Sequence, residues 1–426
     1  MGSQKKCNYQ LMNKFYFIIT IFCVLFVKTI YAQNYIEIKG KIIDSEYNAP
    51  LPFVNISVAK NRIGTITNNS GEFLLKIPEI WRNDTLNFSF IGYTTKKIPI
   101  KSFTNESTIV LQTSDYTIRE ISVFSYSPTE IILKAFENIP QNYPQSSARF
   151  TAFYREQITE NMKDIQHIEA IVDIHKGSYT DSKDNDMVSI IKGRQRSDVQ
   201  TSTLWDYLYF INGPYELIQL DFVKHKNKFI PVSQNTTSFL DERNFRFFNY
   251  TIKETFVEGK SIYLIEFYPK SDSNRGIFNG KIVLEKSTLA FMSLEFWFTP
   301  NRINSAHVLR PETEIALYDA DVDAKALDYY CLVLYKEYEG HWYLSSTKLE
   351  YSFLFLDRRN QVLSTITNKL QLVVTDVNAT NSTPFPRRNQ VRADVELTKQ
   401  LGETDPKFWE NFNYIPTESI ENQDKK

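Results

Sequence analysis

The sequence predicts a mainly β protein: a small antiparallel seven-stranded β-sandwich near the N-terminus, then an α+β domain with a large antiparallel sheet and a helical insertion. Three observations carry this expectation. Between Ile36 and Leu111, short runs of alternating apolar residues recur at near-regular spacing, separated by turn residues. From Phe150 onward the alternating runs lengthen and are joined by short polar turns. Helical periodicity is confined to a capped stretch before that point and to Ser202–Leu220.

At the start of the chain, Lys5, Lys6 and Lys14 precede the apolar run from Phe15 to Val27. Roughly 13 apolar residues suit a secretory segment and fall short of the ~20 that a membrane span needs. Residues 1–32 are therefore expected to be a signal peptide cleaved after Ala32, although Ile30 is bulkier than the small residue preferred there. An uncleaved anchor remains the alternative, and so does a lipid on Cys23, against which Ile21 and Phe22 are too large for a lipobox. Removal of the segment leaves the remainder at about −5 in formal charge, with no basic excess for nucleic acid or anionic membrane. It also leaves Cys331 alone, so no intramolecular disulfide forms; with no basic group beside it, this thiol is expected to be a buried apolar residue.

Within residues 33–113 the strands follow from alternation. Ile36, Ile38 and Ile42 share one face, as do Val54, Ile56 and Val58. The stretch Gly64 to Phe73 then specifies a turn: β-branched Thr65, Ile66 and Thr67 run out, Asn68-Asn69-Ser70-Gly71 reverse the chain, and Phe73, Leu75 and Ile77 return it. Pro78 stops that strand because it has no N–H to donate. Leu86–Ile91, Lys96–Ile100 and Ser107–Leu111 complete seven.

Ile38-Lys39-Gly40-Lys41-Ile42-Ile43-Asp44, Pro50-Leu51-Pro52-Phe53-Val54-Asn55-Ile56, Gly64-Thr65-Ile66-Thr67-Asn68, Gly71-Glu72-Phe73 and Phe88-Ser89-Phe90-Ile91-Gly92-Tyr93 resemble the carboxypeptidase-regulatory-like domain. The resemblance covers about Ile36–Gln112. It implies a transthyretin-like sandwich in an exported protein of Bacteroidetes type, often placed ahead of a TonB-dependent receptor. It implies no catalysis, since the domain is an accessory to the domain C-terminal to it.

Residues 114–147 read as a linker with a short strand, Ile118–Phe124, and a helix. Ser127-Pro128-Thr129-Glu130 is a capping box with proline at the first helical position; Ile131, Ile132, Ala135, Phe136 and Ile139 form the apolar stripe, and Pro140 ends it. This linker, with Phe150–Glu156, resembles the connecting segment of uncharacterised exported proteins of the same layout. In residues 148–377 the expected strands include Ile165–His175, Phe247–Phe256, Ser261–Tyr268, Gly276–Glu285, Leu289–Phe298, Asp328–Tyr338 and Trp342–Leu356. The repeat Gly280–Glu285, turn, Ala290–Glu295 is similar to the curved sheet of lipoprotein carriers. Residues 378–426 form a tail whose aromatic segment Asp405–Tyr414 is expected to dock on the sheet.

Candidate chemistry is sparse. His167, Glu169, Asp173 and His175 share one strand face, but alternate residues lie ~7 Å apart, too far for neighbours to share an ion easily, so a solvated polar face is expected. Arg194 and Arg196, near Lys192, could hold a carboxylate or phosphate or simply face solvent. His-Glu-x-x-His, Gly-x-Ser-x-Gly and a phosphate loop are absent. No catalytic residue, cofactor or metal ligand is assigned. The aromatic excess around Trp205, Tyr209 and Tyr215 is the candidate ligand-binding feature, against a core-packing role. The expected function is a non-enzymatic exported envelope module, in the periplasm or at the outer-membrane periphery, binding an envelope protein, lipid or glycan. The alternatives are an envelope or glycan hydrolase with its site in the second domain, and carrier-like binding of an apolar ligand. A receptor barrel is disfavoured because only about 300 residues follow the sandwich and the chain ends in Asn-Gln-Asp-Lys-Lys rather than an aromatic strand.

Overall fold

The computed structural model describes residues 34–417 except 60, 115–125, 197–212, 227–237, 258–259, 272–275, 301, 303–310, 381, 393–394, 402–408 and 410–411. The expected signal segment, the Ile118–Phe124 strand, Trp205 and Tyr209 lie outside the described residues.

The sandwich has strands β1 (Tyr35–Asp44), β2 (Asn55–Val58), β3 (Gly64–Ile66), β4 (Glu72–Pro78), β5 (Thr85–Ser89), β6 (Lys96–Pro99) and β7 (Ser107–Leu111). They form two sheets, β4-β1-β7 and β3-β2-β5-β6, closed over Ile38, Ile42, Val54, Ile56, Phe73, Leu75 and Phe88. All pairs are antiparallel except β1 with β7, which run parallel from Gly40↔Ser107 to Asp44↔Leu111. The expected all-antiparallel sandwich is corrected there: β7 closes the edge of β1 opposite β4, and residues 100–106 bring it round in the same direction as β1. The reversal at Asn68 is built as its residues demand. The Asn68 side-chain oxygen accepts from the N–H of Ser70 (3.0 Å) and Glu72 (2.8 Å), and Gly71 holds φ +74° where a Cβ would sit 2.4 Å from the carbonyl of Ile42.

Helix α1 (Pro128–Glu137) starts at the expected capping box: Ser127 Oγ accepts from Glu130 N–H, and the Glu130 carboxylate accepts from Ser127 N–H at 2.6 Å. It ends three residues before Pro140, which sits instead in the first turn of a short second helix, α2 (Ile139–Asn142), where a missing N–H costs nothing.

The second domain is one ten-stranded antiparallel sheet. Its strands are β8 (Ala148–Glu160), β9 (Lys163–Lys176), β10 (Met187–Gln195), β11 (Phe248–Val257), β12 (Lys260–Pro269), β13 (Phe278–Glu285), β14 (Phe291–Phe298), β15 (Val322–Tyr338), β16 (His341–Asp357) and β17 (Val362–Asn378). The order is β10-β9-β8-β17-β16-β15-β14-β13-β12-β11. Three strands meander to one edge and the chain crosses to the far edge. Seven more then meander back until β17 pairs with β8, Leu370 opposite Glu156. The crossing carries α3 (Pro214–Gln219) and α4 (Phe222–His225), and α5 (Pro311–Ala320) precedes β15. α1, α3 and α4 pack on the inner face, where Phe222 meets Phe291 at 5.0 Å and Tyr335 at 5.5 Å between ring centroids. Cys331 lies on that face, fully buried, and burial pushes its thiol up well above the ordinary value.

Candidate functional site

Strand parity sorts the second domain's ionisable residues. On β9, Ile168, Ala170, Val172 and Ile174 belong to the inner core, so His167, Glu169, Asp173 and His175 share the opposite face, as expected. That face is largely covered, with the Asp173 side chain 31% exposed. His167 is 6%, Glu169 3% and His175 1% exposed, because the C-terminal tail and the sandwich lie over it. Glu169 holds two arginines: Arg155 Nη2 at 2.6 Å from Oε1 and Arg194 Nη2 at 2.5 Å from Oε2. Burial raises the Glu169 pKa, but Arg155 and Arg194 outweigh it and hold the carboxyl below its usual range. Arg196 reaches Asp164 at 3.4 Å. Arg194 and Arg196, for which an external carboxylate or phosphate and a solvent-facing strand were the alternatives, thus pair with the protein's own carboxylates.

Among the described residues His167 has only distant carboxylates, Asp164 at 3.9 Å and Glu169 at 4.0 Å, and burial lowers its pKa. His175 contacts Asp184 Oδ1 at 2.9 Å and Ser382 Oγ at 2.6 Å. Among the described residues no three His, Cys, Asp or Glu side chains are grouped to hold a metal ion.

Two acidic sites lie on the inner face, where parity demands apolar residues. Lys176 ends β9 in phase with Ile174 and is 1% exposed. Its Nζ lies 2.7 Å from both Asp186 and Asp221. Lys224 and His225, on α4, close on Asp186 at 3.1 and 2.9 Å, and Tyr335 donates to Asp221 at 2.5 Å. Gly177 makes the approach possible, since a Cβ there would sit 2.0 Å from the Asp184 carbonyl. This network pins the crossing segment to the sheet.

The other site is Glu156 on β8, in phase with Ala152, Tyr154 and Ile158 and 1% exposed. Tyr154 donates to it at 2.5 Å and Gln166 donates to its other oxygen. Burial, with Glu216 adding like charge, pushes its pKa up to about 7 from 4.5. A folded-state value above the unfolded one means the folded protein holds this proton longer. The stabilisation it brings is full below pH 4.5 and is lost as pH rises through 7, about 3 kcal/mol in all. Urea unfolding at pH 4.5 and pH 8 should show that slope in the native protein, and Glu156→Gln, which cannot titrate, should flatten it. An identical slope in the variant would show that Glu156 does not carry it.

Open space among the described residues occurs where the sandwich meets the sheet. Asn55, Arg62, Gly64, Thr65 and Ile66 from the sandwich face Lys336, Tyr338, Tyr343, Leu344, Ser345 and the β17 valines across a narrow cleft of about 30 Å³. Tyr338 and Tyr343 meet edge to face at 6.5 Å, and the Arg62 guanidinium lies 4.6 Å above the Tyr338 ring. Among the described residues no His, Cys, Asp or Glu lines this cleft. Its signal in the sequence was the polar tip Arg62-Ile63-Gly64-Thr65 facing the tyrosine-rich end of β15, which only the tertiary fold brings together. Of the aromatic residues singled out as a ligand site, Tyr215 lies on α3, half-buried against the main core, and does not line the cleft.

Residues 38–123 match the CarboxypepD_reg-like domain. Over 90 residues the chain is 32% identical to a TonB-dependent receptor of Formosa agariphila, a match spanning 21% of this chain and 9% of the receptor. Among solved structures, a DUF1329 family protein from Desulfovibrio piger aligns with 58% of this chain and 91% of its own at 9% identity and a TM-score of 0.21. A putative membrane-associated protein of unknown function from Bacteroides fragilis aligns with 80% of this chain and 98% of its own, at 9% identity and a TM-score of 0.15. At those scores neither likeness bears on function.

Proposed function

We propose that this chain, whose residues 38–123 match a CarboxypepD_reg-like domain, is a non-enzymatic binding or accessory module of the cell envelope that engages its partner at the junction of sandwich and sheet. The observation that carries the reading is the cleft. Its two walls come from different domains, its lining is tyrosine, valine and hydrogen-bonding side chains, and the domain-matching segment supplies one whole wall. The densest clusters of ionisable groups lie elsewhere and are occupied with one another. Lys176 is matched to Asp186 and Asp221, and Glu169 to two arginines, which is the chemistry of scaffolding. The envelope assignment rests on the domain match and the receptor segment, and the partners it points to are an envelope protein, lipid or glycan. For Trp205, Tyr209 and Tyr215 a ligand-binding contribution to the same role is proposed from the sequence.

The test is calorimetric titration of the full chain, lacking residues 1–32, with envelope glycans and lipid vesicles, beside thermal melts. Tyr338→Ala should weaken binding with little change in melting, and Trp205→Ala or Tyr209→Ala should do so if the insertion contributes. A core role for Trp205 predicts instead a stability loss of about 3–5 kcal/mol. Hydrolytic turnover of any of these compounds, abolished by His167→Ala or His175→Ala in a folded protein, would replace this reading with an enzymatic one.

A further inference from the structure

We infer that one end of the ten-stranded sheet, the end remote from the sandwich, is a membrane-docking surface fitted to the headgroup layer of a zwitterionic phospholipid bilayer. It is a different place from the sandwich–sheet junction and does not depend on the reading of that junction. Six large apolar side chains are exposed there: Met162, Ile315, Tyr318, Leu356, Val362 and Leu363. Backbone contacts gather the segments that carry them. Leu356 and Leu363 are opposed across β16 and β17, beside the Asp357–Val362 pair that opens into the turn. The Asn161 N–H donates to the Thr365 carbonyl at 2.8 Å, which sets the β8–β9 turn and Met162 beside the same end of β17. The Arg358 N–H donates to the Asp321 carbonyl at 3.1 Å, and the Arg359 guanidinium to the Asp319 carbonyl at 2.8 Å, which brings in α5. The sandwich packs around Val373, roughly 33 Å along β17 from Leu363, and so stands clear of this end.

Two features set this end apart from surface where apolar residues are merely scattered. Met162 is 95% exposed at φ +67°, the second residue of a two-residue turn closed by the Glu160–Lys163 pair, a place that glycine fills without strain. Its side chain is held there at a conformational cost that no packing among the described residues offsets. Helix α5 is apolar on two sides: Leu317 and Ala320 enter the core, while Ile315 and Tyr318, one turn apart, point away from them, with Tyr318 84% exposed. The apolar groups ride on separate tips, two hairpin turns and a helix. Such a convex set wedges among lipid headgroups and offers a folded partner little surface to match. The charges between the tips favour the same occupant. Among the described residues, exposed Lys163, Lys325, Arg358 and Arg359 stand with exposed Asp319, Asp321 and Asp323, four positive against three negative, and Arg358 is paired with Asp323 at 2.5 Å. That near balance suits the phosphate and ammonium of a zwitterionic headgroup and gives no pull towards an anionic one. Tyr318 adds a ring and a hydroxyl of the kind that settles at the water boundary of a bilayer.

The experiment measures co-sedimentation of the full chain lacking residues 1–32 with vesicles of phosphatidylethanolamine and phosphatidylcholine, and with the same vesicles containing phosphatidylglycerol, at low and high sodium chloride. The chain should bind both kinds about equally and keep its affinity as salt rises. Met162→Gly should lower that affinity about fivefold while the melting temperature holds or rises, which separates a lipid contact from a structural role. Leu363→Ser combined with Tyr318→Ser should lower it about tenfold or more, and Tyr338→Ala at the junction should leave it unchanged. Binding confined to the anionic vesicles and abolished by salt would overturn the inference. So would vesicle binding that survives all three tip substitutions and is lost in Tyr338→Ala, which would place the lipid at the junction instead. An unaltered protein that leaves every vesicle unbound would overturn it too, and self-association broken by the tip substitutions would then assign this end to a second copy of the chain. Met162→Gly relieves a positive φ, so misfolding does not obscure the result.

Discussion

Lys176→Met is expected to destabilise the protein by about 3–5 kcal/mol at neutral pH, read by urea unfolding, with a fall in melting temperature of roughly 10 °C. The cause is what it leaves behind. Asp186 and Asp221 both have fully buried carboxylates, and Lys176 Nζ is 2.7 Å from each. Burial alone would push the Asp186 pKa up, yet Lys176, with His225 and Lys224, holds it well below the usual carboxylate range. Without Lys176, Asp186 still has Lys224, His225 and the Gly177 N–H, whereas Asp221 keeps chiefly the Tyr335 hydroxyl. The stranded charge should be worst for Asp221. Two consequences separate this account from simple loss of packing. The deficit should shrink as pH falls, because Asp186, less firmly held ionised without Lys176, is then more readily protonated. Adding Asp221→Asn to Lys176→Met should recover part of the loss, since the second change removes a buried charge that has lost its counterion. A pH-independent deficit that the double variant only deepens would assign the effect to packing.

Much of the fold could be read from period-two alternation, because both domains are sheets with one strongly apolar face. The turn at Asn68–Gly71 and the capped helix at Ser127 were legible because their local chemistry admits few alternatives, but the strands that turn joins, β3 and β4, enter different sheets and do not pair as a hairpin. Pairing was less so. The parallel β1–β7 contact and the joining of β8 to β17 are long-range choices, and no turn residue encodes them. The buried polar sites did leave a signal in phase. Lys176 continues the series Ile168, Ala170, Val172, Ile174, and Glu156 continues Ala148, Phe150, Ala152, Tyr154; an ionisable residue on the apolar parity must find a partner inside. Attention to the histidines on the other parity missed both. The expectation of a solvated face there failed because the residues covering it, among them Trp409, Ile415 and Pro416, lie more than two hundred positions away in sequence.

Those covering residues are the subject of the second large effect: Ile415→Ala should cost about 2–5 kcal/mol, and ending the chain at Leu401 should uncouple the sandwich from the sheet. Ile415 is fully buried against Ile66 of the sandwich and Phe153, Ile171 and Val373 of the sheet, so one side chain is packed by both domains. Around it the tail makes a double set of polar contacts. Asn413 accepts from the Lys76 N–H at 2.6 Å and donates to the Lys76 carbonyl at 3.1 Å, occupying the free edge of β4. Arg155, already paired with Glu169, donates to the Ile415 carbonyl at 2.6 Å, and Trp409 lies 5.8 Å from Phe153 and 4.7 Å from the Arg194 guanidinium. Ending at Leu401 spares the earlier tail contact of Val391 with Val188 and removes only this strap. Calorimetry should then resolve two melting transitions in place of one, and the Lys76 amide should exchange its hydrogen faster while amides in β1 stay protected. The cost of Ile415→Ala is bounded by the free energy of docking the strap, because a chain end can lift off without unfolding the rest. If the truncated chain melts in a single unchanged transition with Lys76 still protected, the sandwich is held by the cleft walls alone and the strap is incidental.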